Sequence, residues 1–281
     1  MRTRTLGTEK VSAIGLGEMQ LSLAGRPDEA HGLRTIHAAL DAGVTLIDTA
    51  DAYCADGSEM GHGERLTAKA LRSYKDTAHV LVATKGGHTR DARGDWHVDG
   101  SPAYLRRACD ASLAALGVDV IDLYQHHRPD PKVPYAESLA ALKELHEAGK
   151  VRMLGLSNAS PEQIRQGVEI LGAALVSVQN RYAPDFRSSE PELELCTGLG
   201  LAFLPWGPLG GAGRASRSAG NAFSEVADEH GVSPQQVALA WMLAKSPAVI
   251  PIPGSSRPET ITDSAAAADL ELTAEQLEKL R

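Results

Sequence analysis

The sequence predicts an α/β fold, a single (β/α)8 TIM barrel, and three observations favour it. Eight short β-rich runs alternate with longer amphipathic stretches along the 281 residues. No long polar linker divides the chain, so we expect one domain that spans residues 1–281. Polar or aromatic residues follow almost every β-rich run, which is typical of a barrel with its active site at the carboxyl ends of the strands.

The expected strands are short apolar runs bounded by turn residues. In chain order they cover residues 11–17, 44–48, 79–85, 118–125, 151–157, 174–180, 201–206 and 248–254. Ser101-Pro102 precedes one predicted helix, which ends near Gly117. Ser160-Pro161 precedes another, which ends near Gly172. The segment Leu6-Gly7-Thr8-Glu9 predicts the turn of an N-terminal β-hairpin ahead of the first barrel strand.

A doubly wound sheet also alternates strands with helices, and its dinucleotide fingerprint can be checked. After the first β-rich run the chain reads Gly15-Leu16-Gly17-Glu18-Met19-Gln20, which lacks the third glycine of G-x-G-x-x-G. We interpret this segment as a tight turn from strand to loop, so the barrel is the preferred fold.

Composition narrows the classes of function. The first ten residues lack the apolar block of a secretory signal, and no segment approaches the roughly 20 apolar residues of a bilayer span. A formal net charge of −8 disfavours nucleic acids and anionic membranes as partners, since both attract clustered Lys and Arg. Cys54, Cys109 and Cys196 show no metal-ligand spacing and indicate free thiols. We expect a cytoplasmic protein without a metal site.

Four side chains at predicted strand ends form a candidate catalytic group. Asp48 ends the second strand and Tyr53 follows it. Lys85 ends the third strand, and His126 or His127 follows the fourth. A phenol titrates at about 10, and a neighbouring ammonium favours the phenolate, so Lys85 would make Tyr53 a better acid. Asp48 would keep a buried Lys85 charged, and a histidine would stabilise negative charge on a carbonyl oxygen.

These residues belong to a set of motifs that resembles the aldo-keto reductases along essentially the whole chain. The motifs are D-T-A-D-x-Y at residues 48–53, A-T-K at 83–85, D-L-Y-x-x-H at 122–127, G-L-S-N at 155–158, Q-N-x-Y at 179–182 and W-G-P-L-G at 206–210. The resemblance implies NAD(P)H-dependent reduction of an aldehyde or ketone, with hydride attack on the carbonyl carbon and Tyr53 as the general acid. It also implies that Lys85 and Asp48 tune Tyr53.

The resemblance selects His127 as the histidine that orients the substrate, because it follows Asp122 by five residues. Neighbouring strand residues alternate faces, so His126 is expected on the other side, as a hydrogen-bonded core histidine. The expected substrate pocket consists of Met19, Tyr53, Trp96 and His127, and its substrate is a small-molecule carbonyl compound. Residues 86–100 are expected to form a polar, mobile loop at the pocket mouth.

The same resemblance implies a set of cofactor contacts. Ser157, Asn158 and Gln179 are expected to hydrogen-bond the nicotinamide carboxamide, and Trp206 to stack on the ring. The other expected contacts are Gly17, Met19, Gly207, Pro208, Leu209, Gly210, Gly254, Ser255, Ser256, Arg257, Asp263 and Ser264. Arg257 suits a 2′-phosphate, so NADPH is preferred, with NADH as the alternative. Well-known members carry lysine, arginine and asparagine at the positions of Gly254, Thr260 and Ser264.

Other interpretations stay open. Lys85 would be the Schiff-base amine in a barrel lyase, and a non-catalytic redox-sensing module would bind NADPH without turnover. A metal-dependent hydrolase is least favoured, because no H-x-H pair follows the first strand. Cys54 is interpreted as a small buried residue, with an oxidation-sensitive thiol as the alternative. The family resemblance makes a monomer the default oligomeric state.

Overall fold

The strands follow the apolar runs of the sequence in this computed structural model, which describes residues 1–210 and 221–281. In chain order they are β1 Thr3–Leu6, β2 Glu9–Ser12, β3 Leu16–Gly17, β4 Leu46–Asp48, β5 Leu81–Gly86, β6 His88–Arg90, β7 Trp96–Val98, β8 Ile121–His126, β9 Val151–Ser157, β10 Leu175–Gln179 and β11 Ala202–Phe203. Seven strands of the described residues form one parallel sheet in the order β3-β4-β5-β8-β9-β10-β11. The predicted barrel class is therefore confirmed.

The sheet is closed by residues 248–254, where the sequence predicts the eighth strand. This segment joins both edges of the sheet through parallel bridges between Gly17 and Gly254 and between Phe203 and Val249. Gly17 N donates to Pro253 O at 3.0 Å. The segment is not a regular strand, because Pro251 and Pro253 have no N–H for a hydrogen-bond ladder. The eighth strand is thus corrected to an extended segment. Its carbonyl groups accept hydrogen bonds from Gly15 and Gly17, and the N–H groups of Ile250 and Ile252 donate to the opposite edge of the sheet.

The N-terminal hairpin is confirmed, and it shortens the first barrel strand. Strands β1 and β2 pair antiparallel across a turn in which Gly7 has a φ of 60°. A Cβ at position 7 would lie 2.7 Å from Val176 Cγ1, so glycine is required for space as well as for conformation. Leu6 and Val11 pack in one apolar cluster with residues at the starts of barrel strands. The predicted strand over 11–17 therefore splits, since its first two residues pair in the hairpin.

A second hairpin replaces the loop expected over residues 86–100. Strands β6 and β7 pair antiparallel, with His88 opposite Val98 and Arg90 opposite Trp96. No strands were expected in this segment, because its polar residues conceal the alternation that marks a strand. The hairpin lies between β5 and the next helix, directly after a strand end that leads to the barrel mouth.

The helices cover the outside of the sheet. Within the described residues they are α1 Glu29–Asp41, α2 His62–Arg72, α3 Pro102–Leu116, α4 Tyr135–Glu147, α5 Pro161–Leu171, α6 Glu190–Leu199, α7 Asn221–His230, α8 Pro234–Lys245, α9 Pro258–Ala266 and α10 Ala274–Lys279. Two predicted boundaries are confirmed, since Ser101 caps α3 and Ser160 forms a capping box with Gln163 at α5. Across the described part of the chain, no helix has the length and apolar character needed to cross a bilayer.

Candidate active site

The strand ends bring Asp48, Tyr53 and Lys85 together in a buried cluster. Lys85 Nζ donates to Asp48 Oδ1 at 2.5 Å and to Tyr53 Oη at 3.0 Å. It also donates to the backbone carbonyl of Thr49 at 2.9 Å. Lys85 is 0% exposed, and Asp48 and Tyr53 expose 2% and 7% of their surfaces. All three donors of the ammonium are therefore used in a place that water does not reach.

Two glutamines hold the second oxygen of Asp48. Gln125 Nε2 donates to Asp48 Oδ2 at 3.0 Å, and Gln179 Nε2 donates to it at 2.7 Å. Gln179 Nε2 also donates to Gln125 Oε1 at 3.3 Å. The carboxylate is therefore fixed by hydrogen bonds on both oxygens. Gln125 is absent from the site residues expected from the sequence. Its position as a polar residue within an apolar strand is the sequence signal that could have identified it.

Burial and charge act in opposite directions on the pKa of Tyr53. Burial raises this pKa, and the Lys85 ammonium lowers it by less, so that it lies above its ordinary value. The effect of Lys85 on the pKa of Tyr53 therefore has the expected direction, but the effect of burial is larger. Burial lowers the pKa of Lys85, but Asp48 and Tyr53 together raise it above its ordinary value. At neutral pH the cluster contains a protonated phenol beside an ammonium.

His127 follows β8 and lies beside Tyr53. Their ring centroids are 5.8 Å apart, and the rings are nearly perpendicular at 80°. Burial and the charge of Lys85 hold the pKa of His127 well below its ordinary value, so the imidazole is neutral. Its backbone carbonyl accepts a hydrogen bond from Asn158 Nδ2 at 3.0 Å. The structure thus places a neutral imidazole next to the phenol.

His126 faces away from this cluster, as the alternation of strand residues predicts. Its ring lies against Tyr135 of α4, with 5.5 Å between the centroids. Neither ring nitrogen of this buried histidine has a hydrogen-bond partner among the described residues. The expected core position is therefore observed without the expected hydrogen bond, and burial lowers the pKa of His126 to about 4.

A cavity of about 860 Å³ extends from the cluster to the start of α9. It is lined by most of the expected site residues, namely Gly17, Met19, Asp48, Tyr53, Trp96, His127, Ser157, Asn158, Gln179, Trp206, Gly207, Pro208, Leu209, Gly254, Ser255, Ser256, Arg257, Asp263 and Ser264. Two expected residues do not line it. Lys85 is completely buried in contact with Asp48 and Tyr53, and Gly210 lies outside the lining, where it turns the backbone with a φ of 86°.

Other lining residues are absent from the expected set. They are Gln20, Leu23, His88, Arg128, Gln235, Ile252, Glu259 and Thr260. Most of them lie on loops or helix starts, whose shapes are decided by tertiary packing rather than by local periodicity.

Near the cluster, the side chains expected to contact a nicotinamide are held in place by hydrogen bonds. Trp206 Nε1 donates to Asn158 Oδ1 at 3.3 Å, and Asn158 Nδ2 donates to Ser157 Oγ at 3.0 Å. Asn158 has a φ of 57°, which an asparagine tolerates better than most residues. Gln179 Nε2 is committed to Asp48, whereas its Oε1 accepts no hydrogen bond from the described residues.

At the far end of the cavity, α9 begins among small residues. Arg257 is exposed and is the N-cap residue of this helix. Asp263 accepts hydrogen bonds from Ser233 Oγ and Gln236 Nε2, both at 2.6 Å. Both oxygens of Asp263 are engaged by these neutral donors at the start of the preceding helix, α8, and Arg257 forms no ion pair with it.

Residues 13–281 match the sequence model of the Aldo/keto reductase family. The chain belongs to this family. It is 37% identical to the 6-dehydroglucose reductase of Novosphingobium aromaticivorans, over 92% of this chain and 86% of that protein. It is 34% identical to the pyridoxine 4-dehydrogenase of Escherichia coli, over 99% of this chain and 96% of that protein.

A solved structure of a relative bears on the cofactor. An aldo/keto reductase from Klebsiella pneumoniae, crystallised in complex with NADP and acetate, superposes with a TM-score of 0.83 at 27% identity. The match covers 99% of this chain and 93% of that one. The chain is thus an oxidoreductase of a family in which nicotinamide cofactors bind.

A second buried acid of this oxidoreductase lies beside the cluster. Glu18 is 0% exposed, and its carboxyl oxygens accept hydrogen bonds from Ser22 Oγ and, at 3.2 Å, from Thr49 Oγ1. Ser22 Oγ is also hydrogen-bonded to His62 Nδ1 at 2.9 Å. Burial raises the pKa of Glu18 to about 8, although the hydrogen bonds and Lys85 oppose this rise. A polar residue directly after the first strand is the sequence signal for this site.

The three cysteines are buried free thiols. Burial raises the pKa of Cys54 to about 11, and so the thiol is protonated at neutral pH. This supports the interpretation of Cys54 as a small buried residue and disfavours an oxidation-sensitive thiol.

Proposed function

We propose that this protein reduces aldehyde or ketone carbonyls to alcohols with NADPH as the reductant. The observation that carries the proposal is the contact between Lys85 Nζ and Tyr53 Oη, 3.0 Å long, beside a cavity that Tyr53 lines. When bound, NADPH supplies the hydride. The chain must then supply a proton to the carbonyl oxygen, and Tyr53 is the acid beside this cavity that is protonated and held by a cation.

The residues of the cavity fit a nicotinamide dinucleotide. Trp206 lines the cavity with an aromatic side chain, and Gln179 Oε1 is available to accept from a carboxamide. At the other end, a Cβ on Gly254 would lie 3.3 Å from Gln20 Nε2, so glycine keeps this backbone open beside the start of α9. A helix N-terminus with small polar residues suits a phosphate. Arg257 suits a 2′-phosphate, which favours NADPH over NADH.

Proton delivery follows from the contacts of the buried cluster. Tyr53 Oη accepts a hydrogen bond from Lys85 and so keeps its own proton for the carbonyl oxygen. Lys85 then stabilises the phenolate that remains after proton transfer. Asp48 keeps Lys85 charged and in place. Neutral His127 donates a hydrogen bond to the oxygen on which negative charge grows.

The same contacts disfavour a Schiff-base lyase. A nucleophilic lysine must be neutral, whereas the pKa of Lys85 is raised by Asp48 and Tyr53 although burial lowers it. Its Nζ also donates three hydrogen bonds, which leaves no direction for attack on a carbonyl.

The relatives suggest the first compounds to test. Because a 6-dehydroglucose reductase and a pyridoxine 4-dehydrogenase are similar to this chain over most of their lengths, a dehydroglucose belongs in the substrate panel with NADPH, and pyridoxine, an alcohol, belongs in an assay of the reverse direction with NADP+. The panel also includes simple aldehydes and ketones.

Tyr53→Phe tests the proposal, because it keeps the ring and removes the proton. We expect kcat to fall at least about 100-fold, while the Kd for NADPH, measured by fluorescence titration, stays near that of the unmodified protein. Tyr135→Phe is the matched control, since this phenol lies outside the cavity and its oxygen has no partner among the described residues. Near-normal turnover by Tyr53→Phe contradicts the proposal. Tight NADPH binding by the unmodified protein without turnover of any compound supports the redox-sensing alternative.

A further inference from the structure

We propose that the carbonyl substrate carries a carboxylate, which pairs with Arg128 beside the active site. This inference rests on the proposed reductase function and names the substrate class of the same site. Arg128 directly follows His127, is exposed and lines the cavity. A substrate whose carbonyl oxygen meets Tyr53 and His127 therefore has a cation within the same cavity.

The guanidinium of Arg128 has donors to spare. Its Nε donates to His88 Nε2 at 3.1 Å, and this is the one hydrogen bond of its side chain within the described residues. Both terminal nitrogens lack a partner there, and no carboxylate of the described residues forms an ion pair with them. Because a guanidinium presents its donors as a planar fork, the free side of Arg128 matches the two oxygens of a carboxylate.

His88 holds this guanidinium next to the catalytic group. Its ring stacks on that of His127, with 4.2 Å between centroids and 26° between planes. Nε2 of His88 accepts from Arg128, so the ring proton of a neutral His88 is on Nδ1. Burial, and next the charge of Arg128, lower the pKa of His88 to about 4, which keeps Nε2 an acceptor at neutral pH. Arg128 is thus positioned one aromatic ring away from His127.

The other charges of the cavity do not compete for a substrate anion. Asp48 is paired with Lys85, and the remaining charged residues of the lining belong to the start of α9, at the opposite end. Among the described lining residues, Arg128 is therefore the charged residue near the catalytic cluster that has no ion-pair partner. Apolar and aromatic side chains accompany it in the lining, namely Met19, Leu23, Trp96 and Trp206. This lining suits a substrate with a largely apolar body that carries a carbonyl group at one end and a carboxylate at the other.

A pair of substrates of similar shape and different charge tests the inference. We would compare kcat/KM for 4-carboxybenzaldehyde and for its methyl ester at fixed NADPH. The unmodified protein is expected to prefer the acid by about 10-fold or more, and Arg128→Gln to lower kcat/KM for the acid by about 10- to 30-fold, with little effect on the ester. Arg128→Lys keeps the charge but loses the fork, so we expect an intermediate preference. Arg165→Gln, an exposed arginine of α5 outside the cavity, is the matched control.

A binding measurement separates this inference from the proposed function. Calorimetric titration of the NADPH-loaded protein with benzoate and with benzamide requires no turnover, and we expect benzoate to bind more tightly in an Arg128-dependent manner. Reduction of the acid and the ester with equal kcat/KM, or an unchanged ratio in Arg128→Gln, overturns the inference and leaves the reductase proposal intact. Arg128-dependent benzoate binding without reduction of any aldehyde supports the anion site and overturns the proposed reductase function.

Discussion

At the scale of single residues, Glu18 shows how strongly a packed environment changes an ordinary side chain. Its carboxyl group is completely buried between the first barrel strand and Thr49, close enough to Lys85 and Asp48 for their charges to act on it. Ser22 and Thr49 supply only neutral hydrogen-bond donors, which do not fully compensate the ionised carboxylate for its lost hydration. The acid is consequently protonated over most of the neutral range.

This predicts a specific dependence of stability on pH. The pKa of Glu18 is about 8 in the folded protein against an ordinary 4.5. Between these values the folded protein holds a proton that the unfolded chain has released, so the contribution of Glu18 to stability falls as pH rises and is fully lost above the folded pKa. Glu18→Gln should remove this fall and gain roughly 3 to 5 kcal/mol over the unmodified protein at high pH, with little difference near pH 4.5.

Urea unfolding at pH 5, 7 and 9 measures this difference. Glu147→Gln, at an exposed position of α4, is the control and should follow the unmodified protein at every pH. Identical pH profiles for Glu18→Gln and the unmodified protein would mean that Glu18 is ionised in both the folded and unfolded states.

At the scale of elements, the hairpin of β6 and β7 builds one wall of the cavity. His88 of β6 and Trp96 of β7 both line the cavity, with 5.2 Å between their ring centroids. The guanidinium of Arg90 lies over the Trp96 ring, 3.9 Å from its centroid, in a cation–π contact. The hairpin thus orders two aromatic side chains that an irregular loop would leave without a common orientation.

Trp96→Ala is expected to weaken substrate binding without weakening cofactor binding. Loss of the ring removes an aromatic contact from the substrate end, so KM for aromatic aldehydes should rise about 3- to 10-fold. Trp96→Phe should retain most of the contact. Steady-state kinetics and fluorescence titration with NADPH check the two effects separately. An unchanged KM together with a weaker Kd for NADPH would assign Trp96 to the cofactor instead.

At the scale of the whole molecule, barrel closure places distant segments on one cavity. Gln179 and Asp48 form a hydrogen bond although they are 131 residues apart, and Gly17 meets Gly254 where the sheet closes. A dinucleotide that contacts both Trp206 and the start of α9 would hold these segments together. A ligand that binds only the folded state stabilises it in proportion to its concentration relative to Kd.

NADPH at 100 times its Kd should therefore raise the free energy of unfolding by about 2.7 kcal/mol. NADH at the same concentration should raise it less, because Arg257 has no 2′-phosphate to bind. Arg257→Gln should bring the two effects close to each other. Thermal unfolding with each cofactor measures this, with Arg165→Gln as the control outside the cavity. Equal shifts by NADPH and NADH in the unmodified protein would contradict the proposed role of Arg257.

The sequence by itself determined the features that depend on neighbours along the chain. Alternating apolar runs predict the barrel strands, Ser-Pro pairs predict helix starts at residues 101 and 160, and strand-end motifs bring Asp48, Tyr53 and Lys85 to one face. The prediction of a regular eighth strand is wrong, because the two prolines of this segment, which are visible in the sequence, prevent a continuous hydrogen-bond ladder.

Only the tertiary structure decided the properties that depend on burial and on partners remote in sequence. Gln125 becomes a support for Asp48, because strands far apart in the chain meet in the barrel. His88 becomes the residue that holds Arg128, because the hairpin of β6 and β7 lies against the segment that follows β8. The net rise in the pKa of Tyr53 has the same origin. Desolvation depends on how completely the surrounding elements exclude water, and no local pattern of residues measures that.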